Sequence, residues 1–183
     1  MASKEPSIEP SIEPSLRGSE SDVPAVGRAV LHALQLADED LHKWCSVLSD
    51  EQLNTSPAGV PPVAFHIRHL CRSMDRLLTY AETGELSEEQ MALLRAEGAR
   101  DTTKTQLFTE LTAAFNDAAI LVRAIAHMNM EEPRTVGRKR LPTTVGGLLV
   151  HVADHTQRHV GQAITTARVV AGLHADSGTD EAV

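Results

Sequence analysis

Four stretches of this chain repeat apolar residues at alternating steps of three and four, and no other feature limits its fold as much. The first carries Val26, Val30, Leu34, Ala37, Leu41, Trp44 and Leu48. The second starts near Pro61 and Pro62, which suit a first helical turn, and carries Val63, Leu70, Met74, Leu77 and Ala81. The third carries Leu107, Leu111, Ala114, Ala118, Leu121, Ile125 and Met128, and Thr103 with Gln106 forms a capping-box pattern at its start. The fourth begins just after Pro142 with Val145, Leu148, Val152, Ala163, Thr166 and Val170. Each stripe is one face of an amphipathic helix. Strand signals are nearly absent. A shorter helix from Ser87 to about Glu97 is announced by Ser87 and Gln90, again at capping-box spacing, and bridges the second and third. The link from Asn129 to Leu141 holds Pro133, Gly137 and the basic run Arg138, Lys139, Arg140. The expected fold is all-α: an up-and-down four-helix bundle with a short extra helix and a long link before the last helix.

The 183 residues suffice for one domain with its own core. Three boundaries follow. Residues 1–22 repeat Glu-Pro-Ser-Ile, and a proline every four residues favours an extended, solvated tail. Residues 23–173 form the bundle, and 174–183 a flexible acidic tail. Of the formal charge of −8, the two tails carry −3 each, which leaves only −2 on the folded body. Such a body has no basic face for nucleic acid, and aromatic residues for base stacking are scarce. No apolar run is long enough to span a membrane, and no secretory signal is visible. Cys45 and Cys71 match no metal or redox spacing and read as buried thiols of a cytoplasmic protein.

The chemistry concentrates in the histidines. At about 100° per residue, His155 and His159 fall within roughly 20° of the direction set by Leu148, inside the apolar face of the fourth helix. Two imidazoles four residues apart on one face can present nitrogens to one metal ion. His151 lies one turn earlier, about 60° to the side, as a fourth ligand, an outer partner or a surface-edge histidine. A third ligand must come from another helix, and the second offers His66 and His69. Projection places His66 nearer the centre of its apolar face and His69 at the flank, from where it can reach a neighbouring helix. Geometry leaves both open. A ferritin-like di-iron site is excluded, because it needs inward glutamates and two Glu-x-x-His pairs. Glu39-x-x-His42 is the only helical pair, and it points away from the first helix's apolar face. No large, aromatic-tolerant cavity for haem is in sight.

These residues also carry a family resemblance. His69 follows the start of the second helix by seven residues, and that helix ends Asp75-Arg76-Leu77-Leu78-Thr79-Tyr80-Ala81. His155-x-x-x-His159 is followed by Gly161-Gln162, and a long link precedes the fourth helix. In these features the chain resembles the DinB-like (DinB/YfiT) superfamily of bacterial four-helix proteins over residues 24–172. The resemblance implies a three-histidine metal site at His69, His155 and His159. It departs from the commoner pattern at Arg158 and Val160, beside the final ligand, and at His66, where an apolar residue is usual.

Three neutral imidazoles with no carboxylate or thiolate leave an ion its full charge and open coordination positions, as catalytic sites require. Zn or Ni suits such a set, and Fe is possible. The resemblance implies thiol-dependent transferases and isomerases or metal-dependent hydrolases. The expected activity is therefore metal-dependent activation of a low-molecular-weight thiol, or of water, against a small electrophilic substrate. His66 and His151 are the expected proton shuttles, and Asp154 and Gln162 the possible outer acceptors. Arg138 and Arg140, with Lys139 between them, are placed to hold an anionic thiol cosubstrate. The alternative is a non-catalytic, stress-associated metal-binding dimer. Gly146, Gly147 and Gly161 suit close helix approach, either within one chain or across a homodimer.

Overall fold

The computed structural model describes residues 12–82, 84–99 and 101–177. Six helices occupy most of them: α1 (Ala25–Cys45), α2 (Asp50–Asn54), α3 (Val63–Glu82), α4 (Glu88–Arg95), α5 (Lys104–Ile125) and α6 (Val145–Ser177). A hairpin of β1 (Pro133–Val136) and β2 (Leu141–Thr144) separates α5 from α6. The fold is thus mostly helical. Helices α3 and α1 each pack against both α6 and α5, so the four apolar faces close over one core. That core is built where the stripes predict, from Leu34 and Leu41 on α1, Ile67 and Leu70 on α3, Leu107 and Leu111 on α5, and Leu149 and Val152 on α6. On α5 the buried stripe runs through Phe115 and Val122, leaving Ala114 and Leu121 at its edge.

Both expected capping boxes form: Ser87 and Thr103 accept from the backbone N–H of Gln90 and Gln106, whose side chains accept in return. A third, Ser49 with Gln52, opens the short α2, an element the periodicity does not reveal. At the α1–α5 crossing a Cβ on Gly27 would lie only 2.3 Å from that of Ala126. Gly27→Ala is therefore expected to destabilise the protein by about 1 kcal/mol net, overpacking outweighing the gain in helix propensity. A denaturant midpoint that rises instead would contradict the close approach.

Two expectations need correction. The link before α6 is not free of strands. Pro133 pairs with Thr144 and Val136 with Leu141, around a turn with Gly137 at φ 67° and Arg140 at φ 48°. Strands of four residues, each carrying a proline, show no alternation that a sequence reading can detect. The hairpin is tied down from both sides: Arg134 Nε donates to the Ala81 carbonyl at the end of α3 (2.7 Å), and Gly146 N to the Met130 carbonyl (2.8 Å). Gly146 and Gly147 make room for this hairpin, since a Cβ on them would meet Met130 and Thr143. Within the chain it is these residues, and not another helix, that they approach.

The N-terminal tail is the second correction. From residue 12 onward it is docked: Pro14–Leu16 forms a 3-10 turn with Pro14 buried, and Arg17 makes a two-pronged pair with Glu39 (2.5 and 2.7 Å). Glu20 pairs with Arg123. Local composition favours an extended tail there, but its charges find partners on α1 and α5 that composition cannot reveal. The expectations for residues 1–11 and 178–183 lie outside the described residues, and α6 itself continues to Ser177. No helix among the described residues is long and apolar enough to cross a membrane. Cys45 and Cys71 are buried free thiols, and burial pushes Cys45 up to about 12 and Cys71 upward too.

Candidate metal centre

Helix α3 carries His66 and His69 in its first two turns and lies against α6, which carries His155 and His159. The pairing is antiparallel: His69 faces His155 and His66 faces His159. His69 Nε2 and His155 Nε2 are 3.0 Å apart, and one nitrogen from each of His69, His155 and His159 lies within 4.8 Å of the others. The ring centroids of His69 and His155 are 4.5 and 4.6 Å from that of His159. All three rings are half-buried. The structure thus brings together the three residues that the resemblance implies.

His66 is more deeply buried, and its Nδ1 lies 3.1 Å from His159 Nδ1. If His159 binds an ion through Nε2, it carries its proton on Nδ1 and donates it to His66. His66 therefore stands behind His159 rather than within the three-nitrogen cluster. This is where its central position on the α3 face leads, while the flanking His69 reaches across to α6.

The decisive neighbour of His69 was invisible in the sequence. Glu97, two residues beyond α4, is 6% exposed and accepts from His69 Nδ1 at 2.8 Å and from Arg76 Nη1 at 2.6 Å. A proton held on Nδ1 leaves the Nε2 lone pair free, so the carboxylate selects the metal-binding tautomer. Phe65 stacks on the same ring, with centroids 5.5 Å apart. Glu97 has no place in any apolar stripe. Only the contact shows its role.

Asp154 and Gln162 do not take the outer-acceptor part. Asp154 pairs with His151 Nδ1 (2.9 Å) and weakly with Arg158 (3.9 Å), and Gln162 lines a surface cleft. His151 is exposed, its ring 5.3 Å from that of His155. Glu39 and His42 face away from the site, toward Arg17 and Asp38. Arg138 and Arg140 line a cleft of about 750 Å³ together with Ser73, Arg76 and Tyr80. Ser73 and Arg76 lie one and two turns beyond His69, and Arg76 joins the cleft to Glu97.

The donor set fits a divalent transition metal. Two nitrogens bound to one tetrahedral ion at ordinary lengths lie roughly 3.3 Å apart, near the spacing of His69 and His155. Burial, then the neighbouring histidines His69, His151 and His155, lower His155 and His159 to about 4. Burial and His69 lower His66 as well. Burial raises the Glu97 carboxyl, but the hydrogen bonds from His69 and Arg76 outweigh it and hold the group below its usual range. The imidazoles of His155 and His159 are therefore neutral at pH 7, with lone pairs available. His155 Nδ1 is buried without a hydrogen-bond partner, so no neighbour orients that ring through its second nitrogen.

These shifts imply a pH dependence for the metal-free protein. His155 and His159 take up protons more readily unfolded, near 6.5, than folded, near 4. Their contribution is complete above 6.5 and is lost as pH falls toward 4, because the unfolded chain then binds more protons. Glu97 acts in the same direction below its unfolded value. Chelator-treated protein is expected to melt at a lower temperature at pH 4.5 than at pH 7. An equal or higher melting temperature in acid would contradict the buried neutral cluster.

A family profile described as the DinB superfamily matches residues 33–163, a span that includes all four histidines and Glu97. No curated protein and no solved structure matches the chain. The profile covers well over half of the sequence, and the chain belongs to the DinB superfamily.

Proposed function

We propose that this protein is an up-and-down four-helix bundle that binds one divalent transition metal through His69, His155 and His159. We propose further that it is an enzyme activating a low-molecular-weight thiol, or water, against a small electrophilic substrate. One observation carries the reading: three imidazoles converge from two helices, and among the described residues no carboxylate or thiolate joins the cluster. When bound, such an ion supplies a Lewis acid that lowers the pKa of a thiol or water beside it, furnishing a nucleophile near neutral pH. Zn and Ni suit the donor set best, and Fe is compatible with it.

The chain's own residues divide the remaining work. Glu97 holds the proton of His69 on Nδ1, and His66 receives that of His159. His66 Nε2 then carries its own proton and can give it to a ligand in the adjoining cleft. His151, hydrogen-bonded to Asp154 at the solvent edge, is the second proton carrier. Arg138 and Arg140 supply positive charge for an anionic thiol cosubstrate, in the cleft that Arg76 links to Glu97.

The test is a thiol-consumption and ester-hydrolysis screen with the metal-replete protein and its chelator-treated control. Turnover that disappears with the metal and returns on its re-addition supports an enzyme. A bound metal without turnover of any thiol or ester supports the non-catalytic dimer instead. In that second reading the exposed Gly161 of α6, where an added Cβ would meet no described atom beyond its own stretch of helix within 4 Å, is the point of close approach between copies.

A further inference from the structure

A second cleft, of about 740 Å³, reaches the histidines at the N-terminal end of α3. It follows α6 from Arg158 past Gly161, Gln162 and Thr165 to Val169. Steps of three and four keep these positions on one helix face, over roughly 16 Å at 1.5 Å per residue. The segment from Pro57 to Pro61, with Val60 exposed, forms the facing wall. His66 stands at the Arg158 end, because it touches His159. A large, mainly apolar cleft with a few polar groups and a charged one at its end has the make-up of a small-molecule site.

Two features point to the occupant. The arginine of the lining, Arg158, lies at the His66 end, with Gln162 one turn on and Thr165 and Thr166 along the middle. Among the described residues the ion-pair partner of Arg158 is Asp154, only at 3.9 Å, so most of its donors remain available. The far end offers Val60 and Val169, both about half exposed. Gly161 is the second feature. Glycine inside a helix costs about 1 kcal/mol relative to alanine. Yet a Cβ there would meet no described atom beyond its own stretch of helix within 4 Å, so no described contact requires it. A side chain at 161 would occupy the cleft instead.

We infer that this cleft binds an amphipathic acid, an apolar chain or ring ending in a carboxylate or acyl carbonyl. Its head lies at Arg158 and Gln162, and its apolar body lies between Val169 and the Pro57–Pro61 wall. That the ligand is the substrate rests on the metal-enzyme reading above. Binding itself does not need the metal.

The probe is decanoate, titrated by calorimetry into the full-length protein before and after chelator treatment, with metal content and solution mass measured on the same samples. Decanoate is expected to bind both forms. Gly161→Leu, which projects into open space, is expected to lose binding while keeping its melting temperature and metal content. Arg158→Gln is expected to weaken decanoate about tenfold and leave decanol unchanged, as loss of one charged hydrogen bond predicts. Failure of decanoate to bind the wild type overturns the inference, as does binding that survives Gly161→Leu. Equal weakening of decanoate and decanol by Arg158→Gln overturns the head-group assignment. A wild-type dimer that Gly161→Leu converts to monomer assigns the face to a second copy of the chain. Decanoate binding by a protein that holds no metal leaves this inference standing and removes the metal reading, and the converse result removes only this one.

Discussion

His155→Ala is expected to reduce bound metal from one ion per chain to background, measured by elemental analysis after dialysis against trace metal. The residue offers Nε2 at 3.0 Å from His69 Nε2, and among the described residues no carboxylate or thiolate belongs to the cluster. Two imidazoles alone hold a divalent ion too weakly to survive dialysis. His159→Ala and His69→Ala should behave alike, because each contributes one nitrogen to the same cluster. His66→Ala separates ligand from neighbour. Its Nδ1 faces His159 Nδ1, so its removal leaves the three-nitrogen set intact and weakens affinity by about tenfold through loss of an outer hydrogen bond. If His66→Ala empties the site and His69→Ala does not, the two residues have been assigned the wrong way round. Circular-dichroism melts of the metal-free variants guard against a loss caused by unfolding.

The second large effect concerns Glu97. Glu97→Gln is expected to weaken metal binding by about 10- to 100-fold, read by competition with a chromophoric chelator, since outer hydrogen-bond partners of metal-binding histidines contribute on that scale. The amide keeps the shape but no longer enforces a proton on His69 Nδ1. It also leaves Arg76 without its charge partner in a largely buried setting, which costs about 3 kcal/mol when one side of such a pair is removed. The double variant Arg76→Met with Glu97→Gln distinguishes the two consequences. It should regain much of the stability, because neither charge remains, while metal affinity stays low. Affinity that recovers with stability would mean that Glu97 supports the fold alone.

The origin of Glu97 shows why the site was only partly legible. The His155–His159 pair could be read from the chain because both residues lie on one helix, where a turn of 3.6 residues converts spacing directly into direction. The third histidine lies on another helix. Choosing between His66 and His69 depends on the rotation and register of α3 against α6, and projection of α3 alone favoured the one that proves to stand behind His159. Glu97 lies on a connection after α4, and its value comes wholly from being carried beside His69 and Arg76. Asp154, nearer in sequence to His155 and His159, turns outward to His151.

The same division runs through the fold. Four apolar stripes and the capping boxes at Ser87 and Thr103 determined by themselves where the principal helices run and which faces they bury, because both are local consequences of helical geometry and unsatisfied backbone donors. Tertiary structure decided what depends on residues distant in the chain meeting one another. The docked turn at Pro14–Leu16 exists because Arg17 and Glu20 find Glu39 and Arg123. The hairpin before α6 holds because Arg134 reaches the end of α3, and Gly27 is required because Ala126 lies against it. Around the histidines, local periodicity placed two imidazoles on one face. The resemblance pointed to His69, but only long-range packing brought it to His155, set Glu97 beside it and opened the clefts at His66 and Arg76.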